Sequence, residues 1–135
     1  VTLEDFDGFC QPFSRMNQLL WFMQNVPGLR FTLDMGNFAF GDEDAVLAAK
    51  LLADSIVHVH CKDRALSPHV QGTVCRGLGP SPAGYGYLPI REMVSLLKEH
   101  GYDGYLAIEH FGAPDQLSFI RKSADFLKKC VDSDD

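Results

Sequence analysis

The chain has 135 residues, with 12 Lys and Arg against 18 Asp and Glu, for a formal net charge of −6. At 46% hydrophobic and 22% charged residues, it has an ordinary globular composition and enough length for one core. No apolar run approaches the roughly 18 residues of a bilayer span, and the acidic balance argues against a non-specific nucleic-acid binder, which needs a basic footprint. Four scattered cysteines, Cys10, Cys61, Cys75 and Cys130, make no Cys-x-x-Cys pair, so reduced thiols and a cytoplasmic setting are expected. The sequence opens on Val1 within what reads as a strand. The expectation is a longer protein whose N-terminal portion is absent.

Strands and helices alternate along the chain. Val1 to Glu4 is a short strand, followed by a helix from about Ser14 to Asn25 with Ser14 as its N-cap. Met16, Leu19, Leu20, Met23 and Val26 give that helix one apolar face, and Pro27-Gly28 ends it. Leu29 to Asp34 is the second strand. Asp42, Glu43 and Asp44 then lie where a helix N-terminus favours negative charge, and the helix Ala45 to Ala53 follows. Ser55 to Cys61 is the third strand, rich in β-branched residues. From about Lys62 to Leu88 the density of Gly and Pro predicts a long loop without regular elements. Pro89 opens the next helix, with Ile90, Met93, Val94 and Leu97 as its buried stripe and Gly101 just past its end. Tyr105 to Glu109 is the fourth strand. The last helix starts near Pro114-Asp115 and is expected to bury Leu117, Ile120, Ala124 and Leu127. Residues 1–131 form one unit, and 132–135 read as a disordered acidic tail.

Strands alternating with helices imply a parallel sheet with right-handed crossovers. The fold class is α/β: either an open doubly wound sheet or half of a (β/α)8 barrel, a whole barrel taking roughly 250 residues. No Gly-x-Gly-x-x-Gly follows the first strand and there is no P-loop lysine, which disfavours the nucleotide-binding sheets.

All four strands end in a residue able to ligate a metal: Glu4, Asp34, His60 and Glu109. In parallel α/β architecture the carboxyl ends of the strands line one rim, where active sites sit. The alternation of side chains puts Thr2 with Glu4, Thr32 with Asp34, His58 with His60 and Ala107 with Glu109 on one face, and the large aliphatic residues on the other. Three carboxylates buried there without a partner would each cost several kcal/mol; a shared divalent cation removes that cost. One acidic strand end alone is more often a helix cap or a surface ion pair. Four ligand types in phase resist that explanation. His58 alone is more simply an interior hydrogen-bonded residue.

With VTLEDFDG, FTLDMGNF, VHVHCKDR, the Gly84-Tyr85-Gly86 loop and GYDGYLAIEHF in this order, the sequence resembles the xylose-isomerase-like barrel superfamily, in particular its sugar phosphate isomerase/epimerase group. The match is to the second half of that TIM barrel, strands five to eight. The resemblance implies one divalent metal, Mn2+ first and Mg2+, Co2+ or Zn2+ as alternatives, held by Glu4, Asp34, His60 and Glu109. It further implies α-proton abstraction next to a carbonyl, through a metal-stabilised enediolate, with Glu4 and Glu109 as the catalytic pair working from opposite faces of the substrate. Where the family commonly has Asp-x-x-His, this chain has Asp34-Met35-Gly36-Asn37, and Asn37 can hydrogen-bond a sugar but carries no proton. Asn37, His58, Lys62 and Arg64 are the candidate substrate-binding residues. Lys62 continues the phase of His58 and His60, whereas Arg64 could equally be a solvated loop charge. Asp63 is expected to orient neighbours or cap the loop, and Phe38, Phe40, Tyr85, Tyr87 and Phe111 either to wall the rim or, equally, to serve as ordinary loop packing.

The expected substrate is a sugar, sugar phosphate or related polyol, placing the protein in carbohydrate metabolism, with no nucleic acid or membrane partner. Alternatives are a lyase of the same fold (an inosose- or dehydroshikimate-type dehydratase, or a C-glycoside-cleaving subunit) and a non-catalytic half-barrel fragment. An apurinic-site nuclease would need more His ligands and a basic groove. The half-barrel itself is expected to turn over little. It would meet either its missing N-terminal half or a second copy through its exposed sheet edges.

Overall fold

A computed structural model of the chain describes residues 1–8, 10–66 and 78–133. Four parallel strands form the main sheet in the order β1 (Thr2–Glu4), β2 (Arg30–Asp34), β3 (Ile56–Cys61) and β6 (Leu106–Ile108). Helices α1 (Met16–Asn25), α2 (Ala45–Leu52), α3 (Ile90–Glu99) and α4 (Gln116–Asp132) alternate with them. The strand order follows the chain order, as a barrel wall requires and a doubly wound sheet does not.

The outer face carries the core. Phe31, Leu33 and Val59 from the strands pack with Ala45, Ala48, Ala49 and Leu52 of α2 and Ile90, Met93, Val94 and Leu97 of α3, all buried. The expected α3 stripe is therefore the observed one. Its end also follows expectation: Gly101 takes φ +75°, and Tyr102 N–H donates to Leu97 O at 2.9 Å. Strict alternation would put Ile56 on the inner face with His58 and His60. The β2–β3 register shifts between Phe31 and Thr32, so Phe31 pairs with Ile56 while Thr32 pairs with His58. This bulge lets Ile56 join the core.

Several local expectations change. Helix α1 begins at Met16, because the Ser14 hydroxyl is spent on the Gly8 carbonyl. Gln18 Oε1 accepts from Ser14 N and Arg15 N at 3.1 and 3.0 Å, and Glu43 reaches across from the start of the second crossover helix to accept from Met16 N at 3.2 Å. Of the three acids before α2, only Asp44 caps it, accepting from Val46 N and Leu47 N at 2.9 and 3.0 Å; Asp42 turns the chain at φ 53°. The loop expected from Lys62 to Leu88 contains an antiparallel pair, β4 (Asp63–Leu66) with β5 (Leu78–Ser81); its middle, 67–77, lies outside the described residues. Helix α4 buries Ser123, Leu127 and Cys130, while Leu117 and Ile120 are exposed. It runs through Asp132, one residue into the segment read as a tail, and 134–135 lie outside the described residues. Among the described residues, no helix is long and apolar enough to cross a membrane, and Cys10, Cys61 and Cys130 are free thiols.

Candidate functional site

Parallel pairing sets the height of each strand-end residue. Glu4 lies level with Thr32, Asp34 with His60, and His60 with Ala107. Glu109 continues the ladder by donating its N–H to Cys61 O at 3.3 Å, two residues above Ala107. The four ligand types thus climb diagonally across the sheet, and the longer glutamate side chains at the two outer strands close the gap. One donor atom from each of Glu4, Asp34, His60 and Glu109 lies within 4.8 Å of all the others. His60 Nδ1 is 2.8 Å from Glu4 Oε1 and 3.2 Å from Glu109 Oε2.

Lys62 is brought into the same cluster. It lies two residues past His60, level with Glu109, and keeps the inner-face phase although β3 has ended. Its Nζ is 2.5 Å from Asp34 Oδ2 and 3.0 Å from Glu109 Oε2. Both oxygens are buried and face the ammonium. The electrostatics of the two acids differ. Burial lifts the Asp34 carboxyl to about 6 in spite of the adjacent ammonium. Glu109 also feels burial, but Lys62 and His60 together outweigh it and hold its carboxyl below the ordinary value. Lys62 is likewise penalised by burial, yet Asp34 and Glu109 hold its ammonium above the usual range.

The remaining sequence-predicted residues are placed as follows. The His58 ring stands edge-to-face against His60, with centroids 5.0 Å apart. Asn37 and Arg64 are buried and engaged with each other: Arg64 Nη2 donates to Asn37 Oδ1 at 3.2 Å, Arg64 Nε to Gly36 O at 3.3 Å, and Asn37 Nδ2 to Asp5 O at 2.9 Å. The Arg64 guanidinium also lies 4.6 Å over the Phe40 ring. Of the five aromatic residues, Phe38 and Phe40 are buried in the body of the fold, and Tyr85, Tyr87 and Phe111 are exposed.

Two buried acids support the rim. Asp63 accepts from Arg64 N and Leu88 N through Oδ1, at 2.7 and 3.2 Å, and from Gly84 N and Gly86 N through Oδ2, both at 2.9 Å. It thereby folds the Tyr85–Tyr87 loop back against Asp63 and Arg64, where Tyr87 N donates to Arg64 O at 3.0 Å. Gly86 is required there, since a Cβ would fall 2.2 Å from Asp63 Oδ1. Asp5, which sequence reasoning missed, is fully buried and accepts from Asp34 N at 2.8 Å. Burial first, and then the Asp34 charge, push its carboxyl well above the usual range. It follows β1 immediately, and continued alternation puts it out of phase with Glu4, so no pattern marked it. Close packing shapes the end of β2 as well: a Cβ on Gly36 would lie 2.9 Å from Lys62 Cγ and from the Lys62 carbonyl.

The donor set suits a hard divalent cation. It is oxygen-rich with one imidazole, and three carboxylates beside one ammonium leave two negative charges uncompensated when all three are ionised. Four parallel β/α units with these potential donors at their carboxyl ends define the class: half of a (β/α)8 barrel. The chain belongs to the xylose isomerase-like TIM barrel family, whose model matches residues 1–130. Solved structures of the same fold include a D-tagatose 3-epimerase-like protein, 24% identical, with a TM-score of 0.72, covering 96% of this chain and 46% of its own. The probable 3-DHS dehydratase AsbF of Bacillus anthracis is 17% identical, with a TM-score of 0.73 and coverages of 95% and 48%. A xylose isomerase-like TIM barrel protein of Mycobacterium smegmatis, solved in complex with magnesium, is 19% identical, with a TM-score of 0.74 and coverages of 96% and 43%. The chain therefore spans less than half the length of each of these relatives. No curated protein matches it.

Proposed function

We propose that the chain carries the metal-binding and proton-transferring half of an isomerase or epimerase acting on a sugar, sugar phosphate or related polyol. The observation that carries this reading is the convergence of Glu4, Asp34, His60 and Glu109 donor atoms within 4.8 Å. A divalent ion held by these four residues, Mn2+ or Mg2+ by donor type, would supply positive charge to the oxygens of a carbonyl and its neighbouring hydroxyl. Glu109, kept ionised by Lys62 and His60, is the group prepared to take a proton next to that carbonyl. Glu4, on the opposite outer strand, returns a proton that it holds at the start of the cycle and is left ionised, while Glu109 is left protonated until exchange with solvent restores both. Return to the same carbon gives epimerisation, and return to its neighbour gives isomerisation. Lys62 donates to a substrate oxygen and steadies the charge that develops there. His58 lines the inner face beneath His60. Asn37 and Arg64, held by one another, act in this reading on the shape of the substrate wall.

The first test is calorimetric titration of the chain with MnCl2, expected to give one site that His60→Ala abolishes. The second incubates candidate ketoses in D2O, where epimerase or isomerase chemistry exchanges the α-proton and Glu109→Gln stops the exchange. Water loss to a conjugated enone would assign the lyase alternative instead, a chemistry represented in the fold by the dehydratase relative. Among the described residues, β1 and β6 each have one neighbour in the sheet, so substrate contacts from a further four β/α units are expected to be needed for full turnover. Light scattering would show whether a second copy supplies them. The free thiols fit a cytosolic setting.

A further inference from the structure

We propose that Ser123 is a positioning residue that sets Glu109 and the Tyr85–Tyr87 loop relative to one another. Ser123 is a fully buried hydroxyl in the middle of α4, a place where an unpartnered polar group is costly. Its Oγ accepts from Ala83 N at 2.9 Å and lies 2.9 Å from His110 Nε2. Ala83 opens the loop whose next N–H groups, at Gly84, Gly86 and Leu88, hold Asp63. His110 directly follows Glu109. Its ring stands edge-to-face on Phe119 at 5.5 Å, and its carbonyl accepts from Gln116 Nε2 at 2.9 Å. One hydroxyl therefore ties α4 to both sides of the rim beyond β3. With the Ala83 N–H on one lone pair, the hydroxyl keeps a second lone pair and its own hydrogen, so it pairs with Nε2 in either tautomer of His110 and holds the ring in place.

This inference rests on the metal reading above, and the test separates the two. In the metal-free chain, 15N NMR is expected to show His110 Nε2 in a hydrogen bond. Ser123→Ala should lose that signature and shift the Ala83 and Glu109 amide resonances together. Titrated with MnCl2 alone, Ser123→Ala should bind about tenfold more weakly, as removal of a residue supporting a ligand does, and Ser123→Thr should recover most of the loss. His110→Phe, which keeps the ring packing on Phe119, should match Ser123→Ala, and the double variant should lose no more than either. A Ser123→Ala protein with the wild-type His110 signature, or with wild-type Mn2+ affinity, overturns the proposal. A wild-type chain that binds no Mn2+ overturns the metal reading, and the His110 Nε2 signature and the amide shifts then decide whether Ser123 holds the rim.

Discussion

Asp34 and Asp63 are both buried carboxylates near the carboxyl ends of the strands, and they have been treated oppositely. Asp63 receives four backbone N–H groups, and its oxygens are fully occupied by its own loop. Asp34 receives one, from Gly36 at 2.8 Å, and its other oxygen faces an ammonium inside a cluster of ligands. An acid satisfied by backbone is a structural hub; an acid with one backbone N–H and an ammonium for partners, beside two further carboxylates and an imidazole, has a donor set that suits a cation. The difference lies in the supply of N–H donors rather than in burial.

The largest expected effect tests the cation side. His60→Ala should weaken Mn2+ binding by more than about 100-fold, since even residues that only support ligands are worth about 10–100-fold; calorimetry that returns an unchanged affinity would remove the cluster as the site. The structural side comes next. Asp63→Ala should destabilise the chain by about 2–4 kcal/mol in urea unfolding, because buried N–H donors lose their acceptor, and Gly86→Ala should act in the same direction through its clash with the same carboxylate.

The pH response sharpens the contrast. The folded Asp34 carboxyl is raised to about 6, so the native chain holds a proton that the unfolded chain releases near 4. Stability of the metal-free chain should therefore fall as pH rises from about 4 to 6 and level off above. Mn2+ affinity should rise across the same window as that proton is displaced. Titrations at pH 4.5, 5.5 and 7 would show both trends; an affinity flat across the window would mean that Asp34 is not a ligand. The smallest effect concerns α4. Ile120→Ser should change stability by no more than about 0.5 kcal/mol, whereas Leu127→Ala should cost about 2–5 kcal/mol.

Much of the site was legible because strand periodicity is strict. Thr2 and Glu4, Thr32 and Asp34, His58 and His60 could be assigned a face from alternation alone, and Lys62 followed by counting two more. What escaped depended on contacts distant in sequence. The β4–β5 pair joins Asp63–Leu66 to Leu78–Ser81, and the Gly-Pro in the second strand reads locally as a breaker. The exposure of Leu117 and Ile120 reflects where α4 meets its neighbours: its buried residues are Ser123, Leu127 and Cys130, so the apolar residues at helical spacing in the first turns stay partly in solvent. Ile56 needed the bulge, which no single strand announces. Asp5 needed the neighbouring strand, since the N–H it accepts belongs to Asp34.

The diagonal rise of the ligands has an evolutionary consequence. A single-residue insertion inside β1, β2 or β3 would turn the terminal donor of that strand toward the helices and leave an apolar side chain in its stead, whereas the crossover segments can lengthen or shorten without disturbing that parity. Descendants of this architecture are thus free to vary their loops and the molecules they admit, while the spacing inside each strand stays locked.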